Sequence, residues 1–167
     1  RVFCTEKGNP ELFRLPEARI LEDVATVPGI DGQKMSKSYN NHIPLFSEDD
    51  DIKRLVMAIV TDSGNAADIE SGKISGIPEN VYNIHKLIRD KASLDELYAA
   101  NKGKYKALKD ALIEDLIAFI KPLRERRAEI AKDPEAVKKM IAENGERVRT
   151  LTADLVMEFR KRVGFTL

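Results

Sequence analysis

Residues 105–131 read YKALKDALIEDLIAFIKPLRERRAEIA, and this stretch does most to decide the fold. Its apolar residues recur every three or four positions, which is the period of one face of an α-helix. The pattern predicts a long helix that packs against other helices, with a bend at Pro122 because proline lacks a backbone N–H. The apolar stripe consists of Leu108, Leu112, Leu116, Phe119, Ile120 and Leu123.

A shorter helix is predicted well before this stretch. Ser47 offers a capping hydroxyl, and the acidic residues that follow it favour the positive end of a helix dipole. Residues 61–65 end this helix, and we expect a polar loop from there to about Pro78. The apolar positions at helical spacing are Ile52, Leu55, Val56 and Ile59.

From Glu79 onward the pattern is almost wholly helical. Ser93 and Glu96 have the spacing of a capping box, which predicts that a short helix begins there. A separate apolar stripe before this box consists of Val81, Ile84, Leu87 and Ile88.

Two more helices are predicted after the long one. Asp133 is a candidate N-cap with Pro134 at the first helical position, and Asn144-Gly145 is a stop signal. The last helix is expected over about residues 146–162, closed by Gly164. Its inward positions are predicted to be Val148, Leu151, Leu155 and Phe159.

These elements predict a mainly α fold, in which a loop-rich segment precedes a helical bundle of about four or five elements. The loop-rich segment covers residues 1–46, a connecting helix and loop cover residues 47–78, and the bundle covers residues 79–167. The apolar run Val24–Val27 in the first segment is compatible with a buried strand or with a loop, because periodicity alone does not separate them.

Charge limits the classes of partner to consider. The chain has 28 Lys and Arg against 28 Asp and Glu, but residues 1–83 carry 9 against 14 and residues 84–167 carry 19 against 14. A basic half is a weak indication of a polyanionic partner, and solvated faces of charged helices explain it at least as well. No apolar run of about 18 residues is present, so no membrane partner is expected.

The cysteine content indicates the cellular location of the chain, and its first residues indicate whether it belongs to a longer protein. The single cysteine, Cys4, cannot form an internal disulfide, and no Cys/His cluster predicts a metal site. A reducing, cytoplasmic location fits best. The chain begins at Arg1 without an initiator Met or a signal-peptide pattern, so we expect it to be part of a longer protein.

The segment with the clearest chemistry is Lys34-Met35-Ser36-Lys37-Ser38, preceded by Gly29 and Gly32. Glycines allow a backbone to turn sharply and to approach a ligand closely. Two ammonium groups and two hydroxyls within five residues can surround a triphosphate and stabilise the charge that builds on departing pyrophosphate. A basic surface turn is the plain alternative.

This segment resembles the K-M-S-K-S signature loop of class I aminoacyl-tRNA synthetases at all five positions, and Asn41-His42-Ile43 fits its continuation. The resemblance implies that Lys34 and Lys37 are catalytic and contact ATP phosphates, with Met35, Ser36 and Ser38 also in the ATP-binding loop. It further implies a Rossmann-type catalytic domain that the first segment completes, and a strand near Val27 beside the adenine.

Longer stretches are similar to the tryptophanyl members of this family: residues 15–20, 58–63 and 78–84. The resemblance implies a ligase that uses ATP and Mg²⁺ to join tryptophan to its tRNA and that forms a homodimer at full length, with this part of it monomeric. A tyrosyl-tRNA synthetase is the alternative within the family. A non-catalytic helical RNA-binding module is the alternative outside it.

The family's other ATP motif, a His-x-x-His sequence opening a helix, does not occur in this chain. Its two histidines, His42 and His85, are 43 residues apart. We expect His42 to be a loop residue beside the phosphate loop and His85 to be a packed or surface residue on a helix. The chain by itself is therefore expected not to activate an amino acid.

The resemblance also implies that the helical bundle binds the anticodon region of tRNA, through cations for phosphates and rings for unpaired bases. The sequence does not identify which cations make contact, and each cluster is also explained by ion pairs along a helix. The candidates are Lys102, Lys104, Tyr105, Lys106 and Lys109; Arg124, Arg126 and Arg127; and Arg160, Lys161 and Arg162.

Overall fold

A computed structural model describes residues 16–21, 24–62, 66–73 and 75–165. Within these ranges the chain is mainly helical, as predicted, and forms no strand beyond a single antiparallel bridge between Pro28 and Lys34. The helices are α1 (Asp49–Met57), α2 (Ala66–Glu70), α3 (Glu79–His85), α4 (Lys91–Ala100), α5 (Tyr105–Ile130) and α6 (Pro134–Val163). None of these helices is long and apolar enough to cross a membrane.

The described residues fall into two compact units, of which one spans Ile20–Ala128 and the other contains α6. The first unit has one hydrophobic core, made by inward faces of α1, α3, α4 and α5. Helix α5 contributes the largest share, five of the twelve core residues, because its apolar period is sustained over several turns. The fully or nearly buried members are Ile52, Val56, Ile59, Val81, Ile84, Leu94, Tyr98, Leu108, Leu112, Ile113, Leu116 and Ile120.

The positions of the helices agree with the sequence better than their ends do. Helix α1 begins after Glu48 and not after Ser47, and no side chain caps it. Three aspartates in its first turn take over part of the cap's role, since negative charge is favourable at a helix N-terminus. Helix α4 begins three residues before the predicted capping box, because Asp90 accepts the N–H of Ser93 and is itself the N-cap.

Three further expectations about the first unit are wrong. The short helix α2 lies in the segment predicted to be a polar loop. Phe119 and Leu123 were expected in the core but are 47% and 38% exposed. Val24–Val27 forms no strand, which contradicts the strand near Val27 that the family resemblance implies and leaves the loop alternative for this run.

Helix α5 is joined to α1 by a buried lysine. The Nζ of Lys109 donates to the carbonyls of Met57, at 2.8 Å, and Ile59, at 2.7 Å. These carbonyls lie at the C-terminal end of α1, where a helix leaves acceptors without partners. Lys109 is only 9% exposed, and burial lowers the pKa of its ammonium group.

A polar network ties α3, α4 and α5 together. His85 is fully buried, its Nε2 lies 2.7 Å from Oδ2 of Asp115, and its Nδ1 lies 3.3 Å from the Tyr98 hydroxyl. Arg89 donates to the same oxygen of Asp115 at 2.9 Å. Burial lowers the pKa of His85 and outweighs the opposing effect of Asp115, so we infer that the imidazole is neutral at pH 7. Of the two alternatives expected for His85, a packed or a surface residue on a helix, the structure shows the packed one.

Helix α6 is one helix of 30 residues where two were predicted. Its start is as expected, because Asp133 caps the N–H of Ala136 and Pro134 follows directly. Gly164 closes it in the left-handed region, also as expected. Gly145 does not stop it, since an interior glycine costs a helix only about 1 kcal/mol and the flanking residues are good helix formers.

The inward positions predicted for this helix are not buried. They are Val148, 57% exposed; Leu151, 82%; Leu155, 43%; and Phe159, 37%. An apolar period identifies which face of a helix is apolar, but it does not supply the surface that covers that face.

Candidate functional site

The K-M-S-K-S residues lie in a loop that is closed by backbone hydrogen bonds. The N–H of Met35 donates to the carbonyl of Val27 at 2.8 Å, and the N–H of Gly29 donates to the carbonyl of Gln33 at 2.6 Å. Gly32 sits in the turn between these bonds with φ of 78°, a conformation that favours glycine. Gly29 and Gly32 therefore lie in a tight turn, and Lys34 is the first residue after it.

The second half of the motif forms a short 3-10 turn over Lys37–Tyr39. Ser36 is its N-cap, and the Ser36 hydroxyl accepts the N–H of Ser38 at 3.2 Å. Asn40 ends the turn in the left-handed region, at φ of 52°. The two serines of the motif thus shape the backbone around Lys37.

The two lysine side chains point outward from this frame. Lys34 and Lys37 are both exposed, and within the described part of the chain neither ammonium group has a hydrogen-bond or ion-pair partner. Lys53 on α1 differs, because it is paired with Asp50 at 3.1 Å. The charge of both loop lysines is available to an external anion.

Asn41 occupies the centre of the loop, and the sequence analysis gave it no role of its own. It is 2% exposed, and its Oδ1 accepts the N–H of Ser36 at 2.7 Å. Its Nδ2 donates to Oδ1 of Asp31 at 2.8 Å and to the carbonyl of Lys34 at 3.1 Å. The partners are up to ten residues away in the sequence, so no local sequence pattern predicts these contacts.

The loop is attached to the helices of its unit. The carbonyl of Ile30 accepts the N–H of Val60 at 2.8 Å, and the carbonyl of Val60 accepts Nδ2 of Asn80, on α3, at 3.0 Å. On the far side of the motif, Arg124 of α5 donates to the carbonyl of Ser47 at 2.7 Å. The loop that carries the motif is therefore held between the ends of α1 and α3 and the side of α5.

A cavity of about 660 Å³ adjoins the motif. Met35, Ser36, Lys37 and His42 line it on the loop side, and Arg127 lines it from α5. The guanidinium of Arg127 lies 5.3 Å from the ring centre of Phe46, which also lines the cavity. His42 is thus a loop residue beside the motif, as predicted, with a buried Nδ1 that has no partner in the described residues.

Two of the cations considered for RNA contact, Lys109 and Arg124, bond to residues far away in the sequence, and two more, Lys106 and Arg162, pair with acidic residues on their own helices. Lys109 is buried under α1, so its inclusion among the candidates is wrong. Arg124 bonds to Ser47 and Asp49 and is 21% exposed. The exposed candidates are Lys102, Lys104, Lys106, Arg126, Arg127, Arg160 and Lys161.

The described residues contain no group of three or more His, Cys, Asp or Glu side chains placed to hold a metal ion. Mg²⁺ commonly keeps several waters and binds through substrate phosphates rather than through an all-protein cage. The described residues form no such cage.

Comparison with known proteins identifies the family. Residues 3–121 match the sequence family of tRNA synthetases class I (W and Y). The chain is 35% identical over 157 residues to a tryptophan–tRNA ligase of Rhodopirellula baltica, covering 92% of this chain and 48% of the relative. It is also 35% identical to the Fusobacterium nucleatum tryptophan–tRNA ligase, covering 92% and 47%.

Solved structures give the same answer. The crystal structure of tryptophanyl-tRNA synthetase from Campylobacter jejuni, complexed with ADP and tryptophan, superposes with a TM-score of 0.70 at 33% identity. That comparison covers 93% of this chain and 48% of the other. The chain spans about half the length of the relatives that it matches. It belongs to the class I tRNA synthetases of the W and Y family.

Proposed function

We propose that this chain is the part of a tryptophan–tRNA ligase that carries the K-M-S-K-S half of the ATP site. In the reaction, a carboxylate oxygen of tryptophan attacks the α-phosphorus of ATP, the α–β phosphoanhydride bond breaks, and pyrophosphate leaves. The tryptophanyl group then passes to tRNA, releasing AMP. The names of the relatives support tryptophan over tyrosine as the amino acid.

The observation that carries this proposal is the exposure of two unpaired ammonium groups on a tightly framed loop. As the anhydride bond breaks, negative charge grows on the β- and γ-phosphate oxygens. Lys34 and Lys37 stabilise that charge by electrostatic attraction and hydrogen bonding. No carboxylate of the described residues pairs with either ammonium group, so pyrophosphate does not have to displace any of them.

Other roles of the whole protein follow from the same proposal. Residues 1–46 complete a Rossmann-type catalytic domain, residues 47–78 connect it, and residues 79–167 form the helical domain that meets the anticodon region of tRNA. Mg²⁺ arrives bound to the ATP phosphates and neutralises part of their charge. The whole protein acts in the cytoplasm as a homodimer, and this part alone is a monomer.

The test is tryptophan-dependent exchange of pyrophosphate into ATP, measured on the full-length parent protein. Lys34→Ala and Lys37→Ala should each lower the rate by about 10²- to 10³-fold, the usual cost of removing one group that stabilises transition-state charge. Lys138→Ala is the matched control, because Lys138 is also exposed but is paired with Glu135 on α6. Unchanged exchange in the two loop variants would refute the assignment.

The same assay separates the remaining alternatives. Tyrosine in place of tryptophan should give no exchange, and a tyrosine-specific signal would move the protein to the tyrosyl branch. The 167-residue chain alone should give no exchange with either amino acid, because the His-x-x-His motif is not in it. Exchange by the parent protein excludes a non-catalytic RNA-binding module.

A further inference from the structure

The side-chain amide of Asn41 satisfies three hydrogen bonds, and two of them belong to the motif. Its Oδ1 accepts from Ser36, and its Nδ2 donates to the carbonyl of Lys34 and to Asp31. These partners determine the orientation of the side-chain amide. The oxygen must face the Ser36 N–H, which needs an acceptor, and the nitrogen must face the Asp31 carboxylate, which needs a donor. Asparagine supplies both, whereas aspartate and leucine do not.

The same amide determines the path of the loop backbone. Together with the bond from Met35 to Val27, it holds three consecutive residues of the motif: the carbonyl of Lys34, the N–H of Met35 and the N–H of Ser36. Ser36 in turn caps the short turn that contains Lys37. Both loop lysines therefore take their position from a backbone that Asn41 anchors.

The rest of the loop is built to fit this side chain. A Cβ added at Gly29 would lie 2.5 Å from Cγ of Asn41, so a side chain at position 29 is excluded while the amide stays in place. Asp31 is oriented as well, because its Oδ1 also accepts the N–H of Gln33 at 2.9 Å. The backbone carbonyl of Asn41 accepts the N–H of Ile30 at 2.8 Å and closes the arrangement.

We propose that Asn41 is the positioning residue of the K-M-S-K-S loop, which acts through the Lys34 carbonyl and the Ser36 N–H to set where the two ammonium groups meet departing pyrophosphate. The inference rests on the proposed function. It assigns to Asn41 no contact with ATP, so its loss lowers the rate of the chemical step and leaves the tryptophan pocket unaffected.

The experiment substitutes Asn41→Asp in the full-length parent protein. The new carboxylate has nearly the shape of the amide, but it donates to neither Lys34 nor Asp31 and places a like charge beside Asp31. In tryptophan-dependent pyrophosphate exchange, kcat should fall about 10²-fold, the cost typical of displacing a catalytic group by about 1 Å. The KM for tryptophan should stay within about twofold, because the substitution changes no contact with that substrate.

Rescue separates positioning from a general loss of structure. The double variant Asp31→Asn, Asn41→Asp exchanges the donor and the acceptor between positions 31 and 41, removes the like-charge pair, and keeps an acceptor for Ser36, while the Lys34 carbonyl stays without its donor. We expect the kcat of this double variant to be at least about tenfold higher than that of Asn41→Asp alone. Asp31 is exposed, so Asp31→Asn alone should fold even where Asn41→Asp does not, and it should lower kcat to a smaller extent.

Asn101→Asp is the matched control. Asn101 is half-buried and, like Asn41, donates through Nδ2 to a backbone carbonyl, that of Leu97, but it lies at the end of α4. The pyrophosphate-exchange rate of the Asn101→Asp variant should stay within about twofold of that of the parent protein. If Lys34→Ala abolishes exchange while Asn41→Asp keeps it, or if the double variant recovers nothing, the positioning role is wrong and the proposed function stands. If Lys34→Ala has no effect, the proposed function itself fails.

Discussion

Replacing Lys109 with methionine removes the only cation of α5 that bonds to the C-terminal end of α1 in the described part of the chain, and it keeps most of the side-chain volume. The Nζ of Lys109 bonds two carbonyls that are 50 and 52 residues away in sequence. The methionine side chain occupies the same space but has no hydrogen-bond donor. The substitution therefore tests the hydrogen bonds rather than the packing.

Two opposing effects set the magnitude. Each buried carbonyl left without a donor costs about 1–3 kcal/mol. Removing a partly dehydrated charge works in the other direction, as the lowered pKa of Lys109 shows. We expect a net loss of about 2 kcal/mol in the free energy of unfolding, because two acceptors lose their donor and only one charge is relieved.

Thermal and urea denaturation of the two variants Lys109→Met and Lys106→Met provide the measurement. For a chain of this size, about 2 kcal/mol corresponds to a fall in melting temperature of roughly 4–8 °C. Lys106 lies on the same helix, is exposed, and pairs only with Asp110, so its loss should change stability by less than about 0.5 kcal/mol. Equal effects of the two substitutions would refute the claim that the Lys109 bonds stabilise the unit.

Two other predictions concern single residues. Because burial holds the pKa of His85 below its usual value, the unfolded chain binds a proton more readily, and the free energy of unfolding should fall as pH drops below about 6.5. Urea midpoints at pH 7.5 and pH 5.5 measure this, and a pH dependence that persists unchanged in His85→Gln would assign it to another group. Asp133→Ala should destabilise the chain by about 1 kcal/mol through loss of the α6 cap, whereas Asp133→Asn, which also caps, should not. Equal urea midpoints for these two variants would contradict the capping role.

The sequence predicts which segments are helical better than where the helices begin and end. Apolar period locates α1, α3 and α5, because burying one face is worth more than any single cap. Helix starts are less certain, since Asp90 and Ser93 are both acceptable caps and only the packed structure selects Asp90. Gly145 shows the same limit, because a local stop signal is overridden where the surrounding helix continues.

The candidate site divides in a similar way. The motif residues Lys34 to Ser38 are recognisable because they are contiguous, whereas Asn41 acts through contacts that only the folded loop creates. Lys109 was misassigned to a basic surface although a signal existed. It lies three and seven residues before Leu112 and Leu116, so helical spacing places it on the buried face.

The close approach of Gly29 to Asn41 links two positions that are twelve residues apart in the chain. A Cβ at position 29 would overlap the amide carbon of Asn41, at 2.5 Å, and the backbone carbonyl oxygen of the same residue, at 2.6 Å. A smaller residue at position 41 would remove only the first of these overlaps, because the backbone oxygen stays in place and accepts the N–H of Ile30. Among homologues that keep this loop, position 29 should therefore remain glycine whatever residue stands at position 41.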